Sequence, residues 1–277
     1  VNKQSSEINN AVNKDKIMAG DQGIMFGYAT NETKEYMPLT ILLANKLAKR
    51  LTDVRKQAKD SILEPEGKTQ VTIEYENDLP KRVDTIIIAS QHKENIDYEE
   101  LKNLIIDEVI KPIIPKELLD ENTKILINTS GKFTIGGSFG DSGTTGRKIV
   151  ADTYGGIGKV GGGCFSSKDP SKVDRSGAYY ARYVAKNIVA HNLADKCEIE
   201  LAYAIGKEHP ISVYINTFNT NKVHIEKIYD YVNKNFNFSV DNIIKELDLL
   251  NPIYYNLAAY GHFGRTDLNL TWEQIKS

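Results

Sequence analysis

Leucines at 39, 43, 47 and 51 recur every four residues, with Lys46, Lys49 and Arg50 between them. That spacing predicts an amphipathic helix packed on a core. The period then changes. Val71, Ile73 and Tyr75 alternate with polar residues, Asn77-Asp78 supplies turn chemistry, and RVDTIIIASQH follows at residues 82–92. These features predict an antiparallel hairpin with a longer loop. Residues 98–114 read as a helix ended by Pro115, and residues 124–128 as a strand. Farther on, Tyr180, Val184 and Ile188 mark the stripe of a helix over 176–193. Cys197, Ile199, Leu201, Tyr203 and Ile205 alternate as a half-buried strand, and Ile211, Val213 and Ile215 form the next one. Two helices are expected around 224–235 and 239–249, while the first 35 residues read as polar and irregular. Frequent hairpins among the helices favour α+β architecture with mixed sheets over a doubly wound fold.

One stretch breaks the pattern. Residues 131–163 hold twelve of the chain's 20 glycines, which suits neither a helix nor a strand interior. Within it, FTIGGSFGDSGTTGRK (133–148) offers backbone amides that can approach a ligand closely, with Arg147 and Lys148 adjacent and Asp141 inside the loop. It is not a Walker A loop, because Gly146 is followed by Arg147-Lys148-Ile149, and no GxGxxG opens a helix after a strand. The next segment, GGGCFSSKDPSKVDRSGAY (161–179), places Lys168 and Lys172 four apart. Asp169-Pro170 resembles a helix start, and Asp174 is a hard oxygen donor suited to Mg2+. Arg147, Lys148, Lys168 and Lys172 together could neutralise a triphosphate alongside a divalent cation.

Composition narrows the classes. The chain has 277 residues, about two domains' worth, with 40% hydrophobic and 26% charged residues, so extensive disorder is excluded. Lys+Arg is 35 and Asp+Glu is 37, a net charge of −2, which gives no reason to expect nucleic acid or a membrane surface as partner. No apolar run approaches the roughly 18 residues of a membrane span. Cys164 and Cys197 form no CxxC pair, and two apparently unpaired thiols fit a reducing, cytoplasmic setting. No signal peptide is visible in a chain that starts at Val1. The histidines at 92, 191, 209, 224 and 262 share no metal-ligand spacing and read as structural or surface groups, His262 as packing. No Ser-His-Asp or Cys-His arrangement supports covalent catalysis.

Four strings carry a family resemblance: GDQGIMFGYATNE (20–32), GGSFGDSGTTGRKIVADTYGG (136–156), GGGCFSSKDPSKVDRSGAY (161–179) and AAYGHFGR (258–265). In order and over nearly the whole chain, they resemble S-adenosylmethionine synthetase, or methionine adenosyltransferase, without the roughly 95 residues with which that family begins. The resemblance implies three similar α+β domains around a pseudo-threefold, the first largely missing here. The expected division is a remnant of the first domain and an active-site loop over 1–16, a central domain over 17–134 and a C-terminal domain over 135–277.

The implied reaction joins ATP and L-methionine. Methionine sulfur attacks C5′ and displaces tripolyphosphate, which is then hydrolysed to pyrophosphate and phosphate. Implied cofactors are Mg2+, two per site, and K+. The implied assembly is a homodimer with active sites at the subunit interface, pairing into a tetramer. Matched position by position, Lys68, Lys132, Phe133, Asp141, Arg147, Lys148, Cys164 and Lys168 would contact ATP. Of these, Lys168, Arg147, Lys148 and Asp141 would serve catalysis. Gln4, Asp141 and Lys172 would contact methionine, Asp174 would hold Mg2+, and Asp21 would belong to the same site. The chain departs from the family at Lys132 (usually Arg), Glu66 (Asp), Val160 (His) and Ser138 (Pro). Two other readings follow from the same residues. One is a hydrolase of ATP or polyphosphate; the other is a catalytically incomplete fragment or non-catalytic regulatory chain.

Overall fold

The computed structural model describes residues 16–277, so Gln4 and the expected N-terminal remnant up to residue 15 lie outside the described residues. The order of elements is β1 (Gly23–Thr30), α1 (Leu39–Gln57), β2 (Leu63–Glu76), β3 (Leu79–His92), α2 (Tyr98–Leu104), β4 (Lys124–Ile127), α3 (Val173–Ala190), β5 (Lys196–Tyr203), β6 (Ser212–Asn216), α4 (Ile225–Asn235) and α5 (Val240–Glu246). Two three-stranded sheets among these helices make an α+β fold. The described residues divide into two compact units, one of residues 39–144 and one of residues 16–38 with 145–277.

In the unit of residues 39–144 the sheet order is β2-β3-β4, with β2 antiparallel and β4 parallel to β3. Leu43, Leu47 and Leu51 of α1 join Val83, Ile86 and Ile88 of β3 and Leu101 of α2 in one core, as the leucine spacing predicts. The β2–β3 connection is shorter than expected. Glu76 pairs with Leu79, leaving a two-residue loop in which Asn77 (φ 51°) and Asp78 (φ 62°) are both left-handed. Asn and Asp tolerate that region better than other side chains, and two such residues give the turn whose twist matches the strands.

The helix expected over 98–114 is present but changes its winding. Beyond α2 the chain continues as a π-helical stretch (Ile105–Ile110) and a last turn (Lys111–Ile113). Pro112 has no N–H to give the Glu108 carbonyl, and its ring crowds that oxygen. The ladder widens, with the Lys111 N–H bonding Ile106 O, and Arg50 Nε donates to the Glu108 carbonyl at 2.7 Å.

In the other unit the sheet order is β1-β5-β6, antiparallel throughout, with α3 on one face. Residues 23–30 are therefore not irregular: GIMFGYAT is a full strand paired along β5. Its inner positions, Met25, Gly27 and Ala29, mix sizes, and its outer ones include Ile24, Phe26 and Tyr28, so no apolar–polar alternation signals it. Gly27 lets α3 approach. A Cβ there would stand 2.0 Å from the carbonyl carbon of Ala181 and 2.2 Å from its oxygen. Backbone cannot swing aside as a side chain can, so Gly27→Ala is expected to destabilise by about 1–3 kcal/mol, seen as a lower urea midpoint at unchanged m. Among the described residues no helix is long and apolar enough to cross a membrane.

Candidate active site

The cation-bearing loops of the unit containing α3 are knitted together by glycines. α3 begins at Val173 with Lys172 as its N-cap residue. It does not begin at Asp169-Pro170, as the sequence suggests. Asp169 turns its side chain onto the loop instead: Oδ1 accepts from Ser171 N (2.9 Å) and Ser171 Oγ (2.5 Å), and Oδ2 accepts from Lys172 Nζ (3.0 Å). An Asx turn competes with a helix N-terminus for the same residue. Burial pushes the Asp169 carboxyl up, but the bonds from Ser171 and Lys172 outweigh it and hold the group below the usual range. Lys168 and Lys172 thus do not share a helical face; each has its own carboxylate.

Lys168 Nζ lies 2.5 Å from Asp174 Oδ2, with side chains only 24% and 14% exposed. A Cβ on Gly163 would fall 2.1 Å from Asp174 Cγ, and one on Gly23 would meet Oδ1 at 3.6 Å. The carboxylate therefore sits against two positions with no side chain, at a cleft also lined by Ile24, Phe26, Ile149 and Lys159. Gly146, at φ 78°, is needed twice over: a Cβ would also lie 2.3 Å from that of Cys164. This contact sets the exposed Arg147 and Lys148 beside the Cys164 loop. Gly20 N donates to Ser171 O at 3.2 Å, bringing the GDQG turn, and with it exposed Asp21, onto the Lys172 loop.

No group of three or more His, Cys, Asp and Glu side chains among the described residues forms a closed metal site. A single carboxylate lining a cleft nevertheless suits Mg2+, which binds through one or two carboxylates and takes its other oxygens from water and phosphate.

The unit of residues 39–144 carries its own cluster. Glu66 Oε2 accepts from Gly137 N (2.6 Å), and Gln91 takes Glu66 N on Oε1 (3.3 Å) while donating to Thr134 O (3.1 Å). A Cβ on Gly136 would collide with Gln91 Oε1 at 2.6 Å. His92 holds Phe133 from both sides: its N–H donates to Phe133 O (3.0 Å), and Nε2 accepts from Phe133 N (3.2 Å). The ring proton is then on Nδ1, donated to Lys93 O at 2.9 Å. Lys68 reaches outward, 75% exposed and 4.0 Å from Glu66. Lys132 and Asp141 are exposed.

His92 is structural, in keeping with its lack of metal-ligand spacing, while Gln91 and the buried group on α3 are not singled out by the sequence. There Arg175 Nε donates to Tyr179 Oη (3.1 Å), which lies 2.8 Å from His262 Nδ1. VDRSGAY and AAYGHFGR contain these residues, but nothing in their spacing says that they meet. Arginine only donates, so Tyr179 Oη accepts from Arg175, and a single hydrogen bond links that hydroxyl to the His262 ring. Burial, with Arg175 and Arg265 adding to it, pushes His262 from 6.5 down to about 3. The unfolded chain binds the extra proton between those values. This contribution to stability is therefore full above pH 6.5 and is lost as pH falls toward 3. Denaturation at stepped pH should show about 1.4 kcal/mol lost per unit from this group, a slope that His262→Gln removes.

Fold and loops together define an α+β protein with a glycine-lined cluster of cations and carboxylates. Its kin are specific. A family model of the S-adenosylmethionine synthetase central domain matches residues 16–133, and one of the S-adenosylmethionine synthetase C-terminal domain matches residues 135–274. An S-adenosylmethionine synthase of Finegoldia magna is 56% identical over 260 residues, covering 94% of this chain and 66% of its own length. One from Clostridium acetobutylicum is 57% identical over 261 residues, covering 94% and 67%. The chain belongs to the S-adenosylmethionine synthetase family, and it spans 66–67% of the length of these relatives.

Proposed function

We propose that the whole protein makes S-adenosylmethionine from ATP and L-methionine and hydrolyses the displaced tripolyphosphate to pyrophosphate and phosphate. The observation that carries this reading is the Lys168–Asp174 pair at 2.5 Å, beside glycine positions and on loops that also bear Arg147, Lys148 and Lys172. Family membership supplies the reaction.

The physical demand is on the leaving group. As sulfur bonds to C5′, the C5′–O bond breaks and negative charge builds on the departing oxygen of the phosphate chain. Fixed cations stabilise that charge more than they stabilise bound ATP, which lowers the barrier. Lys168, Arg147 and Lys148 hold the phosphate chain in this account, and Lys172 spans the phosphates and the methionine side. Mg2+, when bound at Asp174, supplies further neutralisation of phosphate oxygens. Thioether sulfur is already nucleophilic, so no general base is required and orientation does most of the remaining work. Lys68, Lys132 and Phe133 contact the nucleotide, with His92 fixing the Phe133 backbone; Cys164 lies at the adenosine. Asp141 takes the methionine amino group, and Asp21 completes the site. Gln4 is assigned to methionine on the resemblance alone, as is K+ to the reaction.

A homodimer, pairing into a tetramer, in the cytoplasm completes the reading. Ile24 and Tyr214, 44% and 51% exposed, lie with Phe26 on the sheet face opposite α3, which suits a subunit contact. The test is the stoichiometry of phosphate products. With ATP, Mg2+ and K+, pyrophosphate and phosphate should appear in equal amounts and only when methionine is present. Phosphate release that ignores methionine would favour a simple hydrolase.

A further inference from the structure

We propose that Arg175 is a positioning residue for the phosphate site, setting Lys168 through its main chain and anchored in turn by Tyr179 and His262. This rests on reading the Lys168–Asp174 cluster as a site for a phosphate chain.

Arg175 follows Asp174 in the first turn of α3 but points into the protein, only 4% exposed. Among the described residues no carboxylate pairs with it. A buried cation without a counter-charge is costly, so its contacts must compensate closely. Nη1 donates to the Lys168 carbonyl at 2.6 Å, Nε donates to Tyr179 Oη at 3.1 Å, and the guanidinium lies 4.2 Å from the centre of the Tyr254 ring. The bond to Lys168 is the informative one. The residue just before it, Ser167, is held at φ 75°, a left-handed conformation that a serine adopts at a cost. Something must hold that turn, and the short bond from Arg175 does so at the neighbouring carbonyl.

The far end is fixed as well. Tyr179 Oη lies within hydrogen-bond distance of His262 Nδ1 at 2.8 Å, Trp272 stacks on Tyr179 at 4.1 Å, and Trp272 Nε1 donates to the His262 carbonyl at 3.1 Å. His262 N donates to Asp152 O at 2.9 Å, close in sequence to the Arg147–Lys148 loop. Arg175 thus connects the strained turn before Lys168 to a rigid aromatic support. Its fork geometry makes two directed bonds at once, which a lysine cannot reproduce. Loss of this support lets the Lys168 ammonium drift from its place near Asp174, and misplacement of about 1 Å can cost on the order of a hundredfold in rate.

The test is a double-mutant cycle in the whole enzyme, read by calorimetric affinity for Mg2+-tripolyphosphate and by kcat. Arg175→Met alone should weaken tripolyphosphate binding and lower kcat by about tenfold or more, leaving KM for methionine unchanged. Arg175→Lys should not rescue it. In a Lys168→Ala background the same substitution should cost less than about threefold, because the ammonium it positions is gone. Should Arg175→Met not fold, Tyr179→Phe carries the same cycle with a smaller change of volume. Equal losses with and without Lys168 would overturn the proposal, as would unchanged affinity in Arg175→Met. A parent enzyme that neither binds tripolyphosphate nor consumes ATP would instead sink the phosphate-site reading itself.

Discussion

Lys168→Ala is expected to lower turnover of the whole enzyme by about 10²–10³-fold, the loss that follows removal of one preorganised group from a developing anion. Two effects combine. The ammonium no longer meets the leaving phosphate chain, and Asp174, 14% exposed, loses the partner 2.5 Å from its carboxylate. An uncompensated carboxylate at that point repels the polyanion of the proposed reaction. The loss should therefore appear in kcat and in affinity for tripolyphosphate, with KM for methionine little changed. Lys168→Arg keeps the charge but replaces a compact ammonium by a wider planar group, and should recover only part of the rate. Steady-state kinetics with methionine and ATP varied separately check this. An alanine variant within a few-fold of the parent would place the chemistry elsewhere.

Glu273→Ala is expected to be the most damaging change to stability, about 3–5 kcal/mol. Its carboxylate, with a side chain 6% exposed, meets Arg182 Nη2 at 3.0 Å and Lys186 Nζ at 2.8 Å, and accepts from Gly264 N at 2.8 Å. Burial pushes this carboxyl up, but the two cations outweigh it and hold it below the usual range. Arg182, whose side chain is wholly buried, also donates to the carbonyls of Tyr28 (2.8 Å), Glu35 (2.8 Å) and Tyr36 (2.7 Å). It joins α3 to the end of β1 and the following turn. Without Glu273, two buried cations lose the carboxylate they share. The urea midpoint should fall steeply. Since the carboxyl titrates below its ordinary value, its contribution is present above that value and fades as pH falls through the folded one.

The sequence made parts of this molecule legible because their cause is local. The four-residue leucine spacing of α1 and the alternation in β5 are properties of a few adjacent residues. What it could not show depends on distant partners. β1 is a strand because β5 pairs with it and α3 needs Gly27 beneath it. The π-helical winding of Ile105–Ile110 depends on Arg50 reaching a carbonyl that Pro112 leaves free. Asp169 looked like a cap but serves an Asx turn, since Ser171 and Lys172 offer it nearer donors. At the site, the motifs gave the charges and glycines but not their pairing. Lys168 meets Asp174 across six residues, while Lys172 turns back to Asp169. His92 and His262 have no metal spacing, and only the folded contacts reveal what each holds.

The central claim is that these loops serve a reaction in which methionine displaces an intact tripolyphosphate. Mass spectrometry of products tests it most directly, with the whole protein given ATP, L-methionine, Mg2+ and K+ beside a control without methionine. S-adenosylmethionine that forms only with methionine, in step with ATP consumed, is the expected result. ATP cleaved to ADP or AMP at the same rate in both samples, with no sulfonium product, would contradict it.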